Sequence, residues 1–242
     1  MENLNLSNEL KSLANEVQAQ NLSRFFKCGP GEYGYGDKFL GINVPTVRSV
    51  VKKYAPASIL EDCNELLLSP FHELRLAGLF LLIQIYHKRK KHESREKVKE
   101  VVDYYLNHLD AGNNWDLVDL VAPKILGDWL ITEPSDRDLL YRLSSDNDLW
   151  RQRVAIVSTL ALIRNKEFND TFNIATSLLS HKHDLIHKAC GWMLREIGKH
   201  NGRTELIDFL HKNASVMPRT MLRYAIEHFS PEERKHFMQI KS

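Results

Sequence analysis

The sequence predicts an all-α fold, and three observations carry that prediction. Nearly every periodic segment repeats its apolar residues at i, i+3, i+4 and i+7, as in "VRSVVKKYA", "LRLAGLFLLIQIY", "VKEVVDYYLNHL", "WRQRVAIVSTLALI" and "IHKACGWMLREIG". The period-two alternation of a half-buried strand is almost absent. Helix starts are well marked: Pro45 follows Val44, Ser69-Pro70 precedes one long apolar helix, and Ser230-Pro231-Glu232-Glu233 opens the last one. These boundaries imply short connections between helices of roughly 10 to 18 residues.

The helices also recur. "ELRLAGLFLL" from Glu73, "RQRVAIVSTL" from Arg151, "IHKACGWMLR" from Ile186 and "MLRYAIEHF" from Met221 align on Ala77, Ala155, Ala189 and Ala225, which are 78, 34 and 36 residues apart. The first gap is about two repeats. A period of roughly 35 to 40 residues built from two helices is the mark of stacked repeats of the HEAT or armadillo kind. Residues 1–242 therefore read as a single domain, a right-handed superhelical solenoid whose second helices line one concave binding face.

Composition excludes several classes. With 43% hydrophobic and 26% charged residues, and only 8 Pro and 11 Gly in 242 residues, the chain is a folded protein with disorder confined to its ends. Cys28, Cys63 and Cys190 show no CxxC or Cys/His spacing, so neither a disulfide nor a metal is expected, and a reducing compartment is. The beginning of the chain lacks a basic start followed by an apolar run, and no stretch of about 18 apolar residues occurs. A cytoplasmic monomer away from membranes is the expectation. The net charge of +2 does not by itself announce a nucleic-acid partner. "KRKKHESREKVK", from Lys88 to Lys99, is locally basic with seven Lys/Arg against two Glu. It reads as a solvated helix end unless an anionic partner claims it.

The exception to helical periodicity is Gly29 to Gly41, "GPGEYGYGDKFLG", whose glycine density no helix would tolerate. It is a loop or small hairpin. Either it merely connects an N-terminal helix pair to the first repeat, or it carries Tyr33 and Tyr35 to a ligand.

The stretch "NNWDLVDLVAPKILGDWL", Asn113 to Leu130, has helical spacing yet carries three aspartates and a proline. Asn113 or Asn114 can cap it, and Asp116 then sits in the first turn, where the helix dipole favours negative charge. Asp119 is different. At 100 degrees per residue it lies within about 40 degrees of Trp115, bordering apolar Val118, Ala122, Ile125, Leu126 and Trp129. An ionised carboxylate there must have water, a donor or a cationic ligand beside it. Pro123 leaves the Asp119 carbonyl without its usual partner and is expected to bend the helix. Arg153 follows Trp115 by 38 residues and Trp192 follows Arg153 by 39, so the repeat puts these three in one row, with Asp119 and Arg195 one turn away. Any one of them taken alone reads as core packing or a surface ion pair. Together, aromatic walls, a carboxylate and guanidinium groups suit a cationic base or sugar held beside phosphates.

These helices resemble the signature helices of the AlkD-type DNA alkylation repair proteins, HEAT-like-repeat DNA glycosylases. Trp-Asp-x-x-Asp, Trp-x-Gln-Arg and Gly-Trp-x-x-Arg-Glu occur in the family's order and spacing, and the likeness extends more weakly from about residue 5 to 230. The resemblance implies that Trp115 and Trp192 cradle the damaged nucleotide, that Asp119 is the catalytic carboxylate, and that Arg153 faces the DNA backbone. It implies no cofactor. An N-alkylated purine bearing positive charge is already a good leaving group, so what remains is to stabilise the oxocarbenium developing on the deoxyribose and to position water, which a fixed carboxylate can do. Arg153, Lys188 and Arg195 would meet duplex DNA, with an affinity that falls with salt. Two features depart from the family pattern. Phe25 and Phe26 stand where AlkD-type enzymes place a tyrosine, and the glycine-rich insert is more like relatives that bind branched or distorted DNA without excising a base. Non-catalytic DNA binding is therefore the alternative. A purely protein-binding scaffold would explain the repeats but not the Trp/Asp/Arg/Trp row.

Overall fold

The computed structural model describes residues 2–240, and the side chains of 5–240, so the outermost residues of the expected 1–242 domain lie outside the described ones. Among the described residues the chain is helical, with one isolated bridge between Lys38 and Phe71 and no strand. Two compact units divide it, Met1–Leu117 and Val118–Ser242.

The first unit holds α1 (Glu2–Ser12), α2 (Glu16–Phe25), α3 (Val44–Tyr54), the short α4 (Cys63–Leu67), α5 (His72–His92) and α6 (Arg95–Asn107). Asn15 caps α2 by accepting from the Gln18 N–H, and Asn43 caps α3 by accepting from Thr46, whose neighbour Pro45 lies in the first turn. Helix α5 is the axis of this unit. It packs against α3, α4 and α6, so every residue from His72 to Ile83 is buried and the helix has no polar face over that length. Its charged end, Arg89 to His92, sits in the last turn, where the helix dipole favours cations. The basic run from Lys88 to Lys99 spans this end and the start of α6, with Arg89 and Lys97 both on Glu100 and Lys99 on Asp103.

The glycine-rich segment is a loop rather than a hairpin. It is a chain of turns tied down at its far end, where the Glu73 carboxylate accepts from the N–H groups of Leu40, Gly41 and Ile42 at 2.8, 2.8 and 3.1 Å. Gly41 has φ +85° and lies so close to the Asn15 carbonyl that a Cβ would approach it to 2.1 Å, so only glycine fits.

Helix α7 (Trp115–Asp119) carries the chain from the first unit into the second. The second unit then contains α8 (Leu126–Thr132), α9 (Asp138–Ser144), α10 (Leu149–Arg164), α11 (Asn169–Ser177), α12 (Asp184–Lys199), α13 (Arg203–Asn213), α14 (Arg219–Ala225) and α15 (Pro231–Gln239). Helix α10 packs on α8, α9, α11 and α12, and α12 packs in turn on α11, α13 and α14. The recurring alanines fall on α5, α10, α12 and α14, and all four are buried to within 1% of full burial. Gly191 of α12 takes its place in the same packing: a Cβ there would lie 2.5 Å from the Met221 carbonyl oxygen of α14.

One expectation fails in this region. The stretch from Asn113 to Leu130 is not a single bent helix but α7, a 3-10 turn at Ala122–Lys124, and α8. Pro123 has no N–H to give the Asp119 carbonyl, so the chain re-forms its bonds around Val121, whose carbonyl accepts from Lys124 and Ile125 at 2.8 and 3.2 Å. Burial of Val121, Ala122, Pro123, Ile125 and Leu126 holds the break in the core.

Candidate functional site

In the second unit, the side chain that the sequence marked as anomalous is held by another. Arg153, from the second turn of α10, donates from Nε to Asp119 Oδ1 and from Nη2 to Asp119 Oδ2, both at 2.8 Å. This is the two-pronged geometry that matches a guanidinium to a carboxylate. The third nitrogen, Nη1, donates to the Leu185 carbonyl at 2.6 Å, linking the pair to the first turn of α12. Arg153 is 6% exposed at its side chain and Asp119 15%, so the carboxylate is the partner with access to solvent. Arg153, the residue expected to face DNA, has its guanidinium on Asp119 and the Leu185 carbonyl.

Other residues of this group, on α12, are half-buried and have polar partners nearby. Trp192 donates from its indole to Glu196 at 3.2 Å, which leaves the ring outside the packed core. Lys188 pairs with Asp184 at 2.7 Å, one turn back. Arg195 pairs with Glu227 and approaches Glu196 at 3.6 Å. Lys188 and Arg195, assigned with Arg153 to the DNA, thus have carboxylates beside them. Ahead of α12, His183 caps the helix, and burial holds both His181 and His183 below the ordinary imidazole range; at His183 the Asp184 carboxylate opposes this, while His187 adds to it at both.

The first unit, taken by itself, holds Trp115 and a buried polar cluster that sequence reasoning did not find. The Trp115 ring meets Phe26 at 5.4 Å and Phe25 at 6.0 Å between centroids. Phe26 is buried and stacks on Phe39, while Phe25 is 62% exposed. Behind Phe26 and Phe39 lies His72, 5.0 and 4.7 Å from them. Its Nδ1 donates to Asp37 at 2.8 Å and its Nε2 to Asp116 at 2.9 Å. Burial opposes a charged imidazole here, but the two carboxylates outweigh it and push the His72 pKa up to about 9. Arg75, one turn on, reaches Asp37 at 2.6 Å and Asn113 at 2.8 Å. Asp116 does lie in the first turn of α7, as its position implied, but it is buried and its first role is to hold His72.

Only a faint signal of this cluster is present in the sequence. His72, Glu73 and Arg75 open a helix whose next two turns are apolar, and Asp37 is one of two acids, with Glu32, in the glycine-rich segment. Tyr33 is half-buried and Tyr35 is 68% exposed on the same segment. The segment's best-anchored side chain is therefore Asp37 rather than either tyrosine. The three thiols are free, and burial pushes Cys28 up to about 11 and Cys63 and Cys190 to about 12, which leaves them inert as nucleophiles.

Residues 6–229 match the model of a family described as DNA alkylation repair enzyme. The chain belongs to that family. Among solved structures it is similar to one described as a predicted DNA alkylation repair enzyme from Enterococcus faecalis, with a TM-score of 0.69 and 18% identity over 90% of this chain and 97% of that one. At that identity the likeness speaks for the shared helical fold. A search of curated proteins gave no match. Membership of the DNA alkylation repair family makes a DNA repair role, and DNA as the partner, the frame in which the Asp119–Arg153 pair and the two half-buried tryptophans are read.

Proposed function

We propose that this protein is a DNA-alkylpurine glycosylase that hydrolyses the N-glycosidic bond of cationic N-alkylated purines, methylated adenine or guanine, in duplex DNA. The observation that carries this reading is the Asp119 carboxylate, fixed by a buried arginine and still accessible. A carboxylate held this way needs no reorganisation when positive charge develops on the deoxyribose. With 15% of its side chain exposed, the carboxylate can be reached from solvent by that charge and by the attacking water. Trp115 and Trp192 would supply aromatic faces to the cationic base or sugar. Tyr33, Tyr35, Lys188 and Arg195 would contact the DNA.

The test is release of free base from methylated duplex, followed chromatographically. Wild type is expected to release N-methylated purine, and Asp119→Asn to lower the rate by about a hundredfold or more while binding the duplex normally. An Asp119→Asn variant that excises at the wild-type rate removes Asp119 from the chemistry. A second reading, non-catalytic binding of branched or distorted DNA, is favoured by one feature: Arg153 occupies both Asp119 oxygens, as in a purely structural ion pair. Tight binding to junction DNA without any base release would establish it.

A further inference from the structure

We propose that His72, clamped between Asp37 and Asp116, is a positioning residue that holds Trp115 in its working orientation. The role assigned to Trp115 rests on the glycosylase reading above; the positioning itself rests on the first unit alone.

Trp115 is fixed twice, and both lines of support converge on His72. The first line is the backbone. Asn113 accepts from Arg75 at 2.8 Å, Asn114 caps the Trp115 N–H at 2.9 Å, and Asp116 accepts from His72 at 2.9 Å. The residues on either side of Trp115 are thus tied to buried side chains from other parts of the unit. The second line is the ring. Trp115 leans on Phe26, Phe26 stacks on Phe39, and both phenyl rings lie on the His72 imidazole. A shift of His72 therefore reaches Trp115 through its peptide and through its side chain.

Asp37 closes the arrangement from the far side. Its side chain is fully buried, and it accepts from His72 and Arg75 together. That accounts for the glycine-rich segment. Four glycines let the chain fold back tightly enough to deliver Asp37 and Phe39 to the same place; at Gly34 a Cβ would lie 2.5 Å from the Phe26 carbonyl and 3.1 Å from Asn114 Nδ2. Asp116 has a further feature. Asp116 Oδ1 is buried with no hydrogen-bond partner, so a buried acid retains an unmet oxygen next to Trp115.

Two readouts test the proposal in the full-length protein, at a temperature where near-ultraviolet circular dichroism shows each variant folded. The first is single-turnover release from methylated duplex with protein in excess. His72→Gln, which keeps one donor, and His72→Phe, which keeps only the ring, are expected to lose about tenfold and about a hundredfold in rate, with duplex affinity within about threefold of wild type. The second needs no activity. The Trp115 emission, isolated by subtracting the matching Trp115→Phe spectrum, is expected to shift to the red and become more accessible to acrylamide in both variants. Asp37→Asn, isosteric and able to fold where His72→Phe is not, should shift the emission in the same direction. Unchanged Trp115 emission and quenching in folded His72→Gln and Asp37→Asn would overturn the proposal. So would a wild-type release rate in folded His72→Gln. If wild type releases no base, the glycosylase reading fails while the Trp115 spectra still decide the positioning.

Discussion

Asp119 and Arg153 form the kind of ion pair whose worth depends on what is removed. Arg153 is almost fully buried, so taking away its counter-charge leaves an uncompensated cation, a change that costs about 3–5 kcal/mol when complete. Asp119→Asn keeps one acceptor and should cost less, but a lowered thermal midpoint accompanies its loss of activity, which is why binding and release must be compared on folded protein. His72 gives a second prediction at this scale. Its folded pKa, about 9, lies above the ordinary imidazole value of 6.5, so the imidazole binds its proton more tightly in the folded state. The resulting stability is fully present below pH 6.5 and is lost as pH rises through about 9. Urea titrations on either side of that window should show wild type losing stability with rising pH; a curve equally stable at both ends would remove the charged His72. In His72→Gln the loss should be absent.

Helix contacts are set by residues that lack side chains as much as by those that have them. Gly127, in the first turn of α8, faces α10 so closely that a Cβ would lie 2.3 Å from the Ser158 carbonyl oxygen. Backbone cannot yield as a flexible side chain can. Gly127→Ala is therefore expected to destabilise the protein by about 1–3 kcal/mol despite the higher helix propensity of alanine, and calorimetry that finds it neutral or stabilising would refute the packing argument. The break between α7 and α8 belongs to the same scale. Hydrophobic spacing in that stretch is helical on both sides of Pro123, so periodicity alone reads through the break. What interrupts the helix is a missing N–H and a core that buries the resulting turn.

For the whole molecule, a net charge of +2 means that affinity for DNA must come from local charge. Lys188 and Arg195 have carboxylates beside them, and those pairs must open or share if the cations are to meet phosphates. Duplex affinity should still fall linearly on a log–log plot with salt, with a slope of about −0.9 for each phosphate neutralised. A flat dependence would show that phosphate contacts contribute little and would leave protein binding as the role of the helices.

The amino-acid sequence by itself determined the helical class, the recurrence of α5, α10, α12 and α14, and the prominence of Trp115, Asp119, Arg153 and Trp192, because helical period and repeat spacing are local or regular properties of the chain. It did not determine that Arg153 turns its charge onto Asp119, since a guanidinium at a given register can face solvent, a ligand or a neighbouring helix with equal local propensity. Nor did it reveal the Asp37–His72–Asp116 cluster. Those residues are 35 and 44 positions apart in the chain, with no period connecting them. Only the tertiary structure brings them into hydrogen-bonding distance, and only burial there makes two carboxylates and one imidazole a fixed, charged unit rather than three solvated side chains.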